Sequence, residues 1–299
     1  FENPTSEYRC TPFWAWNTKL EQDHLNREID AMKEMGMGGF HMHSRTGMAT
    51  PYLTEEFMDR VRGCVEKAKQ ENMLAWLYDE DRWPSGAAGG IVTKNYRYRA
   101  RHLLFTASPI EGAVDFETAR ETGKPTLLAV YDIVLDTDGY LSSYNMMDAA
   151  ADAVGTKWFA YLMTAGNDPW YNAQSYVDTL SKEAIDEFIH VTHDAYAKAI
   201  GEEFDGVVPA IFTDEPQFTH KQTFNFATDK HNVVLPWTPD FPKSFSAKYN
   251  YDILPYLPEL FWDLPNSKIS VARYHYHDHI CDRFTEAFAD NCGDWCKAH

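Results

Sequence analysis

The sequence lacks the features that mark several large classes of proteins. No apolar run reaches the roughly 18 residues of a transmembrane helix, and no signal-peptide pattern precedes the first strand-like segment. The five cysteines are an odd number without the close pairing of a disulfide framework. Basic residues are also few, because 27 Lys and Arg stand against 45 Asp and Glu, for a formal net charge of −18. These deficits disfavour a membrane protein, a disulfide scaffold and a nucleic-acid partner.

The composition favours a ligand without net charge. The glycine-rich segment 85–90 (SGAAGG) lacks the Lys-Ser/Thr ending of a phosphate-binding loop, and its glycine spacing does not fit a dinucleotide fingerprint. Aromatic residues, in contrast, make up 15% of the chain, with nine Trp and 17 Tyr. Such rings either fill a core or stack on flat apolar faces, including those of sugars. Free thiols slightly favour a cytoplasmic location for the protein. Export followed by removal of a signal peptide is the alternative.

From residue 10 onward, strand-like and helix-like segments alternate. Residues 12–17, 39–44 and 74–80 are predicted strands, and the segments between them carry apolar residues at helical spacing. Three such units in a row predict a parallel sheet, with the functional loops at the carboxyl ends of its strands.

The alternation stops after the third strand and resumes later. Extended runs with an intervening Asp-Gly turn signal predict a β-rich insertion at 103–165. A helix near 181–200 and a buried strand at 206–212 follow, then a Pro- and aromatic-rich loop to about 265 and one long final helix. We therefore predict an α/β fold: a partial (β/α)₈ TIM barrel with its first four βα units. The predicted division is 1–102, 103–165 and 166–299.

A pair of carboxylates follows the fourth predicted strand. Asp214 and Glu215 stand in the sequence Thr-Asp-Glu-Pro, where barrel enzymes place catalytic groups. Cleavage of a glycosidic bond needs a proton donor for the leaving oxygen and a second carboxylate as base or nucleophile. We expect Glu215 to be a buried proton donor; the alternative is a structural, salt-bridged or capping acid pair.

Further polar and aromatic residues cluster at the ends of the first three strands. Asp79 and Asp81 share one side of a strand and could bind sugar hydroxyls or calcium; the alternative is a solvated loop. His41 and His43 also share a side; they could bind hydroxyls, form the first half of a zinc site or be structural histidines. Trp16 and Trp83 are candidate stacking platforms, with core packing as the alternative. The predicted substrate-binding residues are Trp16, Asn17, His41, His43, Arg45, Asp79, Asp81, Trp83 and Asp214.

These motifs together resemble the barrel domain of glycoside hydrolase family 106, the α-L-rhamnosidase-like proteins. The resemblance is carried by residues 12–17 (PFWAWN), 38–45 (GGFHMHSR), 77–90 (LYDEDRWPSGAAGG), 176–196 and 209–216 (PAIFTDEP). It implies an inverting hydrolase of rhamnose-containing glycans, with Glu215 as the acid and with calcium near the site. It also implies a base from a later strand, so the partners expected are a carbohydrate substrate and the remainder of the barrel.

Three other readings stay open. Many retaining β-glycosidases also carry a Glu after the fourth strand, usually in Asn-Glu-Pro rather than Asp-Glu-Pro. Half a barrel has open strand edges, which suits a non-catalytic carbohydrate-binding fragment. A zinc-dependent hydrolase would use His41 and His43 together with ligands from later strands.

Overall fold

The computed structural model describes residues 2–299 as a mixed α/β fold with two sheets. One sheet is parallel and the other is antiparallel. The elements in chain order are β1 (Phe13–Trp16), α1 (Gln22–Glu34), β2 (Gly39–Ser44), α2 (Glu55–Glu71), β3 (Leu74–Tyr78), β4 (Arg101–Thr106), α3 (Phe116–Thr122), β5 (Thr126–Leu135), β6 (Leu141–Met146), β7 (Thr156–Thr164), α4 (Lys182–Ile200), β8 (Ile211–Phe212), β9 (Val233–Pro236), α5 (Phe241–Tyr249), α6 (Val271–Phe284), a π-helical turn (Thr285–Asp290) and α7 (Asn291–Ala298).

The parallel sheet has the strand order β1-β2-β3-β8. Each strand thus lies beside the next one of this sheet in the chain, and the intervening helices α1, α2 and α4 cover one face. Gly39 allows β2 to approach β3, because a Cβ at this position would lie 2.3 Å from the carbonyl oxygen of Leu74. The register pairs Phe13 with His41 and His41 with Trp76.

Within residues 2–299, helices pack against only one of the two faces of the parallel sheet. On the helix side, Trp16, Phe40 and Leu77 are buried among side chains of α1 and α2. The opposite face, which we call the inner face, carries Phe13, His41, His43, Trp76, Tyr78 and Phe212 in mutual ring contact. Phe13 is 53% exposed, so the described residues leave part of the inner face open.

The antiparallel sheet has the order β6-β5-β7-β4-β9. Its first four strands come from the segment predicted to be β-rich, which confirms that feature. Its fifth strand, β9, and the helix α5 come from the segment expected to be loop, so that expectation was wrong. Val233 and Leu235 of β9 and Phe241 of α5 are fully buried in the same core as Phe105 of β4. Apolar burial in a distant sheet, which no local periodicity reveals, explains the error. The three-part division of the chain stays a prediction.

Most other predicted elements are present with shifted ends. The helix α4 begins after Ser181, whose hydroxyl accepts a hydrogen bond from the amide of Ala184. The fourth strand of the parallel sheet is shorter than predicted and only half-buried. The final segment is helical from Val271 to Ala298, with the π-helical turn inside it. None of the helices within residues 2–299 is long and apolar enough to cross a bilayer.

Candidate active site

The Thr-Asp-Glu-Pro segment leaves β8 at the carboxyl end of the parallel sheet. Glu215 is exposed rather than buried in this chain, which corrects the expectation from the sequence. Its backbone has a φ of +42°, a conformation that non-glycine residues rarely adopt. Strained backbone of this kind concentrates at functional sites, where the surrounding contacts impose it. Glu215 thus combines solvent exposure with an uncommon backbone conformation at this end of the sheet.

Trp83 lies directly beside this carboxylate. Its indole Nε1 donates a hydrogen bond of 2.9 Å to Oε2 of Glu215, and its ring is 38% exposed. The ring therefore both orients the carboxylate and offers a free aromatic face next to it. The structure brings these two predicted site residues together from loops 132 positions apart.

A hydroxyl network joins the loop after β3 to the loop after β8. The Ser85 hydroxyl donates to Oδ1 of Asp79 at 2.5 Å and accepts from the amide of Asp214 at 2.9 Å. The Thr213 hydroxyl donates to Oδ2 of Asp79 at 2.6 Å. The Tyr78 hydroxyl donates a hydrogen bond of 3.0 Å to Oδ2 of Asp214. Asp79 is fully buried, so within this chain it holds the two loops together behind the site.

Glu80 organises the glycine-rich loop that follows Trp83. Its Oε2 accepts hydrogen bonds from the backbone amides of Gly86, Ala87 and Ala88 at 2.8–2.9 Å, and its Oε1 accepts from those of Asp81 and Gly89. Burial raises the pKa of the Glu80 carboxyl, whereas the amide donors act in the opposite direction. Only the carboxylate form satisfies all five donors. Sequence reasoning missed this role; the available signal was a run of small residues whose amides needed an acceptor.

A short hairpin at 168–174 is attached to the same loop. The side-chain amide of Asn172 donates to the carbonyl of Gly89 at 2.9 Å and to Asp81 at 3.1 Å, and Asp81 also pairs with Arg82. Trp170 donates through Nε1 to the carbonyl of Trp83 at 2.6 Å. Asp81, a predicted hydroxyl binder, is thus mostly buried and engaged in holding the two loops together. The sequence analysis did not predict this hairpin, which is closed by the single bridge between Asp168 and Gln174.

The predicted histidines lie on the inner face. His43 contacts the ring of Tyr78 with centroids 3.9 Å apart. Desolvation by burial lowers the pKa of His43 to about 4, with Arg45 and His41 adding to the effect, and burial also lowers the pKa of His41. Both imidazoles are therefore neutral at pH 7 and can each donate and accept one hydrogen bond.

The other predicted site residues at the ends of the first two strands differ in burial. Trp16 points to the helices, is 1% exposed and packs edge-on against Phe57. It has no ring face open to a sugar, so the expectation of a stacking platform is replaced by core packing. The strand alternation explains this, because Trp16 and Trp14 share the helix side. Asn17 and Arg45 are exposed beyond the ends of their strands; their substrate contact stays a prediction.

Metal ligation needs a set of converging donors. Within residues 2–299, no group of three His, Cys, Asp or Glu side chains could hold a metal ion. Calcium takes roughly six to eight oxygen ligands, whereas Asp79, Glu80 and Asp81 are each engaged by hydroxyl, amide or guanidinium donors. The described residues therefore do not fit a calcium or zinc site by themselves, and both metals stay predictions.

A groove of about 380 Å³ lies beside β8, away from Glu215. It is lined by Phe204, Asp205, Val208, Pro209, Ala210, Ile211, Trp295, Cys296, Lys297 and His299. Glu215 does not line this groove and is exposed beside Trp83.

The buried Asp79 gives the site a testable pH signature. Desolvation raises the pKa of Asp79 to about 7, against the ordinary value of 3.8. Between these two pH values the folded state holds a proton that the unfolded state has released, so the free energy of unfolding falls as pH rises through this range. Asp79 accepts hydrogen bonds from the Ser85 and Thr213 hydroxyls, and the ionisable groups near it include Asp214, Glu80 and His193. Burial raises the pKa of Glu80 and lowers that of His193 to about 4.

We therefore expect Asp79→Asn to reduce this pH dependence. The slope of the unfolding free energy between pH 5 and pH 7 should lose up to about 1.4 kcal/mol per pH unit, as one proton requires. Urea unfolding at a series of pH values measures it. Asp205→Asn, an exposed control, should keep the wild-type slope. Equal slopes in wild type and Asp79→Asn would contradict the assignment.

The similarity of this chain to known proteins lies in its structure. No family model matches the chain, and no curated protein matches it. Among solved structures, the chain is similar to the rhamnosidase from Novosphingobium sp. PP1Y, with 14% sequence identity and a TM-score of 0.62. The match covers 98% of this chain and 45% of that chain, so this chain spans less than half of that rhamnosidase. At this identity the similarity establishes a shared fold.

Proposed function

We propose that this chain forms the front part of a (β/α)₈ glycoside hydrolase barrel that cleaves α-L-rhamnosidic bonds, with Glu215 as the general acid. The observation that carries the proposal is the exposed Glu215 carboxyl at the end of β8, oriented by the indole N–H of Trp83. The sequential strand order β1-β2-β3-β8 supports the barrel, because the strands of such a barrel follow one another in chain order. The fold shared with a rhamnosidase and the family 106 motifs support the substrate class.

In the proposed mechanism, Glu215 donates its proton to the glycosidic oxygen as the bond to the sugar breaks. The leaving alcohol then departs neutral, which removes the main electrostatic barrier to cleavage. A second carboxylate activates a water molecule on the opposite side of the sugar ring. Two carboxylates of the adjoining segments are engaged elsewhere, Asp214 by Tyr78 and Asp79 by Ser85 and Thr213. We assign the base to a later strand of the barrel.

The glycone lies over the inner face in this proposal. His43 is neutral and stands beside Tyr78, and its Nε2 has no hydrogen-bond partner among the described residues. A sugar hydroxyl could pair with such a nitrogen after a small side-chain adjustment. Asn17 and Arg45 are exposed at the same end of the sheet and are proposed to contact the sugar as well.

The remainder of the barrel is the proposed partner of the open inner face. Phe13 is 53% exposed there, and the outer edges of β1 and β8 have no neighbouring strand among the described residues. Exposed edges of this kind readily pair with another strand. Further strands would cover the aromatic rings and supply the missing carboxylate.

The stereochemistry of the product tests the proposed mechanism. Full-length protein should hydrolyse methyl α-L-rhamnoside, and proton NMR at early times should show β-L-rhamnose as the first product. Inversion is expected because a single displacement by water places the new hydroxyl on the opposite side of the ring. Initial release of α-L-rhamnose would instead establish a retaining mechanism, and no hydrolysis would favour a carbohydrate-binding fragment.

A further inference from the structure

The hairpin at 168–174 places a second exposed tryptophan near the proposed acid. Trp170 is 39% exposed, almost the same fraction as Trp83 at 38%. Its indole N–H donates to the carbonyl oxygen of Trp83, and the indole N–H of Trp83 donates to Glu215. Since each ring uses its single donor within this chain of contacts, the exposed ring surface is what remains for a ligand.

The hairpin is rigidly attached rather than loosely placed. The amide of Trp170 donates to Oδ1 of Asp168 at 2.8 Å, and the amide of Asp168 donates to the carbonyl of Gln174 at 2.7 Å. Gly90 has a φ of +86°, and a Cβ there would lie 2.4 Å from the carbonyl oxygen of Tyr171. Glycine at this position therefore lets the hairpin and the loop after β3 pack backbone to backbone. A ring held in this way loses little conformational freedom when a ligand binds.

Two separate sets of contacts lead from Glu215 to the inner face and to the hairpin. His43 contacts Tyr78, Tyr78 bonds Asp214, and Glu215 follows Asp214 in the chain. Through a different residue, Trp83, the Glu215 carboxylate is also linked to Trp170. The inner face and the hairpin therefore reach the proton donor by separate sets of contacts. A group that protonates the glycosidic oxygen must lie between the glycone and the leaving group.

We propose that Trp170 binds the leaving-group side of the substrate, as a specificity-determining aromatic surface for a second sugar ring or an aryl group. This inference rests on the proposed function, since it uses Glu215 as the acid. It predicts that the residue matters for substrates with a flat leaving group and not for those with a small one. An aromatic ring that loses its stacking partner loses a contact of defined geometry as well as buried area.

The test compares two leaving groups in full-length protein. For Trp170→Ala, we expect kcat/KM to fall about tenfold with 4-nitrophenyl α-L-rhamnoside and less than about twofold with methyl α-L-rhamnoside. Each value is divided by that of the wild type, so the different reactivities of the two substrates cancel. Trp170→Phe keeps a ring but loses the bond to Trp83, and it should retain most of the wild-type preference. Tyr274→Ala, which removes an aromatic ring 67% exposed elsewhere, should change neither value.

The outcomes separate this inference from the proposed function. If Trp170→Ala and Trp170→Phe lower kcat/KM by the same factor for both substrates, Trp170 only supports Trp83 and the inference is overturned. If the wild type hydrolyses neither rhamnoside, the proposed function fails, and calorimetric titration of the wild type and Trp170→Ala with both compounds decides the inference. Weaker binding of the aryl compound alone would then support a stacking surface, and unchanged binding would reject it.

Discussion

Replacement of Glu215 by Gln should lower kcat for methyl α-L-rhamnoside by about 10²–10⁴-fold, the usual contribution of a general acid. The substitution removes the acidic proton and keeps an oxygen that can accept from the indole of Trp83. Glu215 is exposed, so the fold and its stability should be unchanged. Steady-state kinetics and a thermal unfolding curve on the same preparation measure both quantities.

The leaving group provides an internal check on the role of Glu215. A 4-nitrophenyl group departs readily without a proton, so the loss with this substrate should be much smaller than with the methyl glycoside. This order is opposite to that expected for Trp170→Ala, which affects the aryl substrate most. The matched control is Glu202→Gln, an exposed carboxyl beyond the end of α4. Full activity of Glu215→Gln on the methyl glycoside would remove Glu215 from the mechanism.

The largest effect on stability is expected for Glu80→Gln. The carboxylate accepts three backbone amides on Oε2 and two on Oε1. A glutamine side chain replaces one oxygen by an NH₂ group, so at least two buried amides lose their acceptor in either orientation. At about 1–3 kcal/mol for each unsatisfied donor, the free energy of unfolding should fall by about 2–6 kcal/mol.

Chemical denaturation measures this loss, with Glu202→Gln again as the control that removes an exposed carboxyl. Activity should fall as well, because the loop that holds Trp83 and Ser85 against the Thr-Asp-Glu-Pro segment loses its internal acceptor. A Glu80→Gln protein as stable as the wild type would show that the loop holds its shape without this carboxylate.

The hydrophobic pattern was sufficient to predict the parallel sheet. The alternation in 39–44 places Phe40 and Met42 on one side and His41 and His43 on the other, and the structure shows this arrangement. The period of two is a property of the extended backbone itself, so it can be read without knowing the neighbours. Which side faced the helices was not readable, because both sides carry large rings.

The burial of the tryptophans could not be predicted from the sequence for the same reason. Trp16 lies near the end of the first predicted strand and Trp83 just beyond the third, and both were candidate platforms, yet one is 1% and the other 38% exposed. Exposure depends on which elements cover a side chain, and α2 covers Trp16 through Phe57. Similarly, β9 joins a sheet built more than 60 residues earlier in the chain. A strand of four residues has little periodicity of its own and gains its stability from that pairing.

The sequence by itself determined the order of the βα units, the β-rich segment and the position of Asp214 and Glu215 after a strand, because spacing and polarity along the chain report local geometry. Tertiary structure alone decided that Asp79, Glu80 and Asp81 hold loops together. It also decided that Trp83 contacts Glu215 and that Trp170 contacts Trp83. Each of these roles depends on which donor lies within about 3 Å of which acceptor. Such distances between remote segments arise only when the loops fold against one another.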